Sequence, residues 1–563
     1  MTENQTATDF GELAAADDLE TELRRRQRRH RWLIYTALIL CSLWTTTFRL
    51  FMTSGESYGE SVPYFSANDR SRWATIRSLG DHDTFALDLI LQAENGERWD
   101  TIDKVVHLGR DGKPHTYSSK PTLLPWLLAY KYLAIKQVTG KNLEEDTFFV
   151  VRCMLLLTQI LPLGLFLFLM AKLAEEMGCT EWSKIVVVAC ASFGTFLTTF
   201  SITLTNHIPA TISAGIALLC LIAIWRRGKR HWGYFALAGL FSAFAAANDL
   251  PALSLVAVAF GLCFLKSPIK TFLAFLPPVG VIVAAALGTN YLAHQELTPP
   301  YAHRNDGPPI AEVMEPTDAN FTELLDQAII PTPLLDAIIA HGNQLGARIQ
   351  EDSIIRRGSW PCPSYLNRWL LDNPDHSSRI VIVNNTAENP REFTLHRWYN
   401  WYEYPRSYWS ADNPYKSAVD RGERSLATYA LHFLVGHHGV FSLSPIWIWA
   451  IPGLLMMVFN SKYQMRLPAL AFLAMSVVVI VFYLMRPPID RAYGGLSSGP
   501  RWLFWLIPFW LVGLIPFLDA IRNWPAMKTL VLVTLLISAG SAAYAWSNPW
   551  VHPWIFTVFG FSG

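Results

Sequence analysis

Apolar runs decide what this chain can fold into. They recur at 32–47, 148–173, 185–203, 208–225, 234–247, 250–265, 271–291, 445–459, 467–484, 502–518 and 530–545. A membrane-spanning helix needs roughly 20 predominantly apolar residues, so about eleven crossings are expected, several of them short. Of the 563 residues 51% are hydrophobic and only 16% charged, where a soluble chain carries about a quarter. The 22 tryptophans suit helix ends lying at lipid–water boundaries. A net charge of +1 gives no reason to expect nucleic acid as a partner. The expected fold class is an all-α polytopic membrane protein with outer interfacial helices and a mixed α/β outer loop subdomain.

Charge placement orients the chain. Residues 1–31 read as a cytoplasmic tail, polar and disordered to Glu22 and then strongly basic from Arg24 to Arg31. The basic run fixes the N-terminus inside, and with no small-residue cleavage site the first apolar run is expected to stay as an anchor. Alternation then places Lys172–Lys184, Arg226–His231, Lys266–Lys270, Ser461–Arg466 and Arg522–Lys528 inside, and each contains Lys or Arg. The opposite turns at Asn206-His207 and Asn248-Asp249 contain neither. This reading gives a membrane region at 32–292 with a first outer loop at 51–146. A large outer domain follows at 293–430, and C-terminal helices at 431–563. Thr122–Gln137 is apolar, but counting it as a span would invert every later loop, so it is expected to be interfacial or re-entrant.

Six of the seven cysteines lie in or beside apolar runs, and Cys362 stands alone in the polar segment. No metal-spaced Cys/His cluster is present, so no structural zinc site is expected. A divalent metal has no clear place in this pattern, and no cofactor is assigned.

Chemistry-bearing residues concentrate on the outer side. Asp69 opens a short helix in which Trp73, Ile76 and Leu79 share a face, and either a cap or a catalytic carboxylate suits it. Arg72 follows one turn later. Short β-prone runs at Lys104–His107 and His115–Ser118 flank Arg110-Asp111-Gly112-Lys113, a hairpin signal that would deliver Tyr117 and Lys120 to the membrane surface. Lys120 suits a phosphate or a snorkelling role. The paired turns Asn206-His207-Ile208-Pro209 and Asn248-Asp249-Leu250-Pro251 are explained by turn-making, with His207 and Asp249 as candidate substrate contacts. His437 and His438, between glycines, suit a metal pair or a loop entering a helix. The last outer loop carries Arg491 and Arg501 around Gly494, Gly495 and Gly499, a composition suited to a backbone folded around an anion. The aromatic run Trp398–Tyr404 suits packing, site cover or stacking on an acceptor sugar.

These motifs resemble the family C integral-membrane glycosyltransferases. The resemblance rests on Asp-x-x-Arg-aromatic-Ala-x-Ile at Asp69–Ile76, Tyr-x-x-Lys-Pro at Tyr117–Pro121, and the segments Gly436–Pro445 and Gly494–Arg501. The nearest branch is that of the protein O-mannosyltransferases and lipid A aminoarabinose transferases, in a bacterial form. It implies a polyprenyl-phosphate-linked sugar donor, a lipid, glycan or protein acceptor, and an inverting transfer on the periplasmic face of an inner membrane. Asp69 would be the general base, and Lys120, Arg501 and Arg491 would hold the donor phosphate. Arg72, Tyr117, His207, Asp249, His437 and His438 would be further contacts. Arg70 stands where many members carry Glu, which removes a possible metal ligand. The rival readings are a lipid or solute transporter and a non-catalytic member of the same family.

Overall fold

A computed structural model describes residues 3–346, 349–350, 352–361, 366–373, 379–411, 413–417 and 419–560; Cys362 lies outside the described residues. Among the described residues eight helices are long and apolar enough to cross a membrane: Arg25–Met52, Thr147–Met177, Glu181–Phe200, His207–Trp225, Pro268–His294, Arg466–Leu484, Arg501–Ala520 and Pro525–Tyr544. Two shorter apolar helices, Leu250–Lys266 and Pro445–Phe459, and the helix Trp232–Asn248 lie over three further apolar runs but fall outside these eight. The chain is built as an integral membrane protein. Its first helix is continuous from Glu3 to Met52, whereas the tail to Glu22 was expected to be disordered. Ala, Leu, Glu and Arg from Leu13 onward are good helix formers, and extending an existing helix avoids a new nucleation step.

The connections sort to two ends. At one end Arg31 pairs with Glu175 at 2.6 Å, Arg226 donates to the Glu176 carbonyl, and Asp519 accepts from the backbone of Cys179 and Thr180 at 2.9 Å. At the other end Arg304 meets Asp490 at 2.9 Å, Thr122 meets Thr289 and Ser498 donates to the Pro549 carbonyl. All three long polar segments therefore share one end, as charge alternation requires. The membrane helices pack closely where small residues permit it. A Cβ on Gly453 would lie 1.8 Å from the Gly513 carbonyl oxygen, so Ala450–Phe459 and Ile507–Ala520 meet backbone to backbone.

The polar end has three parts. A two-stranded ribbon, β1 (Gly55–Ser57) and β2 (Glu60–Val62), leads into the helix Ala67–His82. The expected hairpin forms from β3 (Lys104–Leu108) and β4 (Pro114–Ser118), with Lys104 opposite Ser118. Leu123–Thr139 is helical, falls outside the eight candidate spans, and is held to the Ala67 helix by Tyr132 and Lys136 on Asp81. The large domain is a five-stranded antiparallel sheet of β5 (Ala311–Met314), β6 (Ile354–Arg357), β7 (Leu366–Asp372), β8 (Arg379–Asn385) and β9 (Glu392–Arg397), in the order β5-β9-β8-β7-β6. Trp369, Ile382 and Leu395 sit side by side across it and pack with Phe321 and Leu334 of its short helices.

Candidate functional site

A cavity of about 750 Å³ opens where the hairpin, the sheet domain and the helix ends converge. Its floor is apolar, from Ala246 and Ala247, Ala286 and Leu287, and Phe482 on three different helices. Its upper walls are charged. An amphiphile with a polar head is the shape of ligand such a lining suits.

The hairpin register builds the first charged group. Lys104 pairs with Ser118, and one step further Ser119 donates to the Asp103 carbonyl at 3.1 Å. Lys120 thus returns beside Asp103, and Nζ lies 2.9 Å from the carboxylate. Ser71 fastens this corner to the Ala67 helix, bonding the Asp103 carbonyl at 2.7 Å and the Ser118 hydroxyl at 2.6 Å. Burial pushes the Lys120 ammonium down from its usual range, with Asp103 opposing and Arg72 and Arg501 reinforcing. A further anion near Nζ would restore its charged form.

The two Asn-x-x-Pro turns meet to form the second group. Asp249 accepts from His207 Nδ1 at 2.9 Å, and Asn206 reaches the Asn248 carbonyl and Asp249. Arg501 Nη1 lies 3.0 Å from His207 Nε2. A guanidinium only donates, so Nε2 accepts and the imidazole is the neutral, Nδ1-protonated tautomer. The glycine loop, whose composition suits an anion, holds a cation through one of its carbonyls. Tyr493, Gly494 and Gly495 all have positive φ (53°, 93° and 71°), which turns the Gly494 carbonyl onto Arg501 Nε and Nη2 at 3.1 and 2.6 Å. The loop grips the cation, and Trp550 supports it 4.8 Å away.

Asp69 lies elsewhere. It is fully buried and absent from the cavity lining. It is the third helical residue of a capping box: its carboxylate accepts from the backbone of Phe65 and Ser66 at 3.1 and 3.0 Å and from the Thr203 hydroxyl. Ser66 Oγ in turn accepts from the Asp69 amide. Burial pushes its pKa up, while Thr203 and the two backbone amides pull it back. Arg72 is buried behind the cavity wall, bonding Asn68 and Asn206, which do line it. Its burial lowers its pKa to about 10.

The other expected contacts lie apart from the cavity. Arg491 is spent on the carbonyls of Arg486 and Arg424. Tyr117 stacks on His107 at 4.3 Å and packs against His294. His437 and His438 contact each other, and His438 stacks on Tyr493. Among the described residues no three His, Cys, Asp or Glu side chains converge to hold a metal ion.

Asp103, Arg304, Arg486 and Asp490 line the cavity without having been singled out from the sequence. For Asp103 the signal was present: extending the hairpin register by one pair places it opposite Ser119.

No family model and no curated protein sequence matches the chain. Among solved structures it is similar to the archaeal oligosaccharyltransferase AglB from Archaeoglobus fulgidus, in complex with an inhibitory peptide and a dolichol-phosphate. The identity is 11% and the TM-score 0.38, over 92% of this chain and 56% of that one. The chain therefore spans just over half the length of AglB. It is also similar to the S. cerevisiae protein O-mannosyltransferase Pmt1-Pmt2 complex bound to the sugar donor, at 11% identity and TM-score 0.41, over 93% of this chain and 91% of that one. At these scores no residue role or substrate passes from either protein to this one.

Proposed function

We propose that the protein is a membrane glycosyltransferase that moves a sugar from a polyprenyl-phosphate donor to an acceptor hydroxyl at the non-cytoplasmic face. The observation that carries this reading is the cavity's division into an apolar floor on the membrane helices and a charged wall above it that includes Lys120 and Arg501. A lipid tail, a phosphate and a sugar would follow one another in that order. Lys120 and Arg501 would hold the phosphate, with Arg72 behind them, offsetting the charge that develops on the leaving group. The Asp249–His207–Arg501 relay would fix the Arg501 guanidinium.

The base in this reading is Asp103 rather than Asp69. Asp103 lines the cavity beside Lys120, whereas both Asp69 oxygens are engaged in holding the chain. The acceptor oxygen attacks the anomeric carbon opposite the phosphate and the carbon–phosphate-oxygen bond breaks. The hydroxyl proton passes to Asp103, and the lipid phosphate leaves with the electron pair. Attack from the opposite face inverts the anomeric centre.

The test is mass spectrometry of lipids co-purifying with the full-length protein. A polyprenyl-phosphate sugar is expected with the parent chain and at least tenfold less with Lys120→Ala or Arg501→Gln. Absence of any polyprenyl phosphate from the parent protein, with none taken up when supplied, would refute the reading.

A further inference from the structure

The cavity has a second wall that phosphate binding leaves unused, contributed by the sheet domain. Trp360, Tyr402 and Trp409 line it, and the Arg304 guanidinium lies 5.7, 5.1 and 5.1 Å from their ring centres. Arg304 and Arg486 both bind Asp490, at 2.9 and 2.8 Å, so most of the charge here is satisfied within the wall. Two hydrogen-bonding groups on the cavity lining are not satisfied. Arg304 Nε is buried without an acceptor, and Asn248 Oδ1 is buried without a donor. Asn248 is 5% exposed, and its Nδ2 donates to the Phe244 carbonyl at 2.9 Å, which fixes the oxygen as the free atom.

A buried donor or acceptor left unmet carries a desolvation penalty, which a ligand that meets either atom would relieve. A hydroxyl both gives and takes a hydrogen bond, and the apolar face of a sugar ring suits an aromatic wall. An anion would answer Arg304 and not Asn248.

The wall is held by an ion triad centred on the buried Arg368 and Glu403, with Asp306 partly exposed. Arg368 bonds Asp306 at 2.7 and 2.5 Å and Glu403 at 3.1 and 2.9 Å. Glu403 also accepts from the backbone of Ser359 and Trp360. Each loop tied in this way presents one wall residue: Arg304, Trp360 or Tyr402. Trp409 is anchored separately, through its indole on the Ile102 carbonyl, next to Asp103.

We propose that this wall is the acceptor subsite and takes a neutral carbohydrate ring, so that the acceptor is itself a glycan, with Arg368 and Glu403 as positioning residues. The proposal rests on the transferase reading of the cavity. Its test is tryptophan fluorescence of the full-length protein in nanodiscs, titrated with lipid-free neutral hexose and N-acetylhexosamine oligosaccharides. Saturable binding of at least one is expected, weakened tenfold or more in Trp409→Ala and in Arg304→Gln. Binding of fluorescent polyprenyl phosphate should stay within twofold of the parent in both variants, which also reports that they fold. No oligosaccharide binding overturns the proposal. So does binding that both variants leave intact, or displacement by peptides alone. Oligosaccharide binding without polyprenyl phosphate binding would remove the transferase reading, and the acceptor role with it, while leaving a sugar site at the wall.

Discussion

Exchanging two carboxylates for amides separates the roles given to them. In Asp69→Asn one oxygen still accepts, but the new amino group faces a donor among the Phe65 amide, the Ser66 amide and the Thr203 hydroxyl. A weakened cap costs about 1 kcal/mol and an unmet buried donor about 1–3 kcal/mol, together about 2–4 kcal/mol. At about 0.85 °C per kcal/mol for a chain of 563 residues, Tm should fall by roughly 2–3 °C. In Asp103→Asn the pair with Lys120, whose side chains are 13% and 17% exposed, is broken at a cost between the surface and buried limits, about 1–3 kcal/mol, so Tm should fall by about 1–3 °C. Transfer should nevertheless fall by about 10²–10⁴-fold, the contribution of a positioned base. The assay pairs thermal unfolding of the purified protein with sugar release from a polyprenyl-phosphate donor. Full activity in Asp103→Asn, or an Asp69→Asn protein that is inactive at unchanged Tm, would refute the assignment.

Other perturbations test the frame around the site. Arg368→Met should cost about 3–5 kcal/mol by stranding Asp306 and Glu403, and a Tm within 1 °C of the parent, below the shift that scale implies, would show the triad to be dispensable. Gly453→Ala should destabilise by about 1–3 kcal/mol through overpacking against Gly513, read as a lower aggregation temperature in detergent; an unchanged value would mean the helices separate freely there. Burial lowers His107, His303 and His437 from 6.5 to about 4. Between about pH 6.5 and 4 the unfolded chain therefore binds protons that the folded chain does not, and stability should fall as pH falls through that window. A Tm that is flat across the window would count against those buried neutral rings.

The membrane fold was legible because its cause is local. Apolar runs and Lys/Arg placement are properties of short stretches, and the structure gathers the long polar segments at one end as those stretches require. The hairpin was legible for the same reason, since Asp-Gly between β-prone strands sets a register. The site was harder to read because its meaning depends on what meets across the fold. Asp69 and Asp103 are both acids near the first outer helix; Asp69 accepts from two local amides and from the Thr203 hydroxyl of a distant turn, whereas Asp103 lines the cavity. The glycine loop composition fits a cradle of amides or of carbonyls equally well, and φ at Tyr493, Gly494 and Gly495 decides for the carbonyl of Gly494. The aromatic run divides in a similar way: Trp401 stacks on His303 at 3.5 Å, while its neighbour Tyr402 faces the cavity.

The contact between Arg501 and His207 spans 294 positions, and it bears on how the protein is made. At about 5–20 residues per second, roughly 15–60 s of synthesis separate the two side chains. During that interval His207 and Asp249 are already in place while their cation has yet to be translated. A nascent chain released before the last outer loop would carry the apolar floor and Lys120 without Arg501. The cavity wall is therefore completed only when the last outer loop has been made.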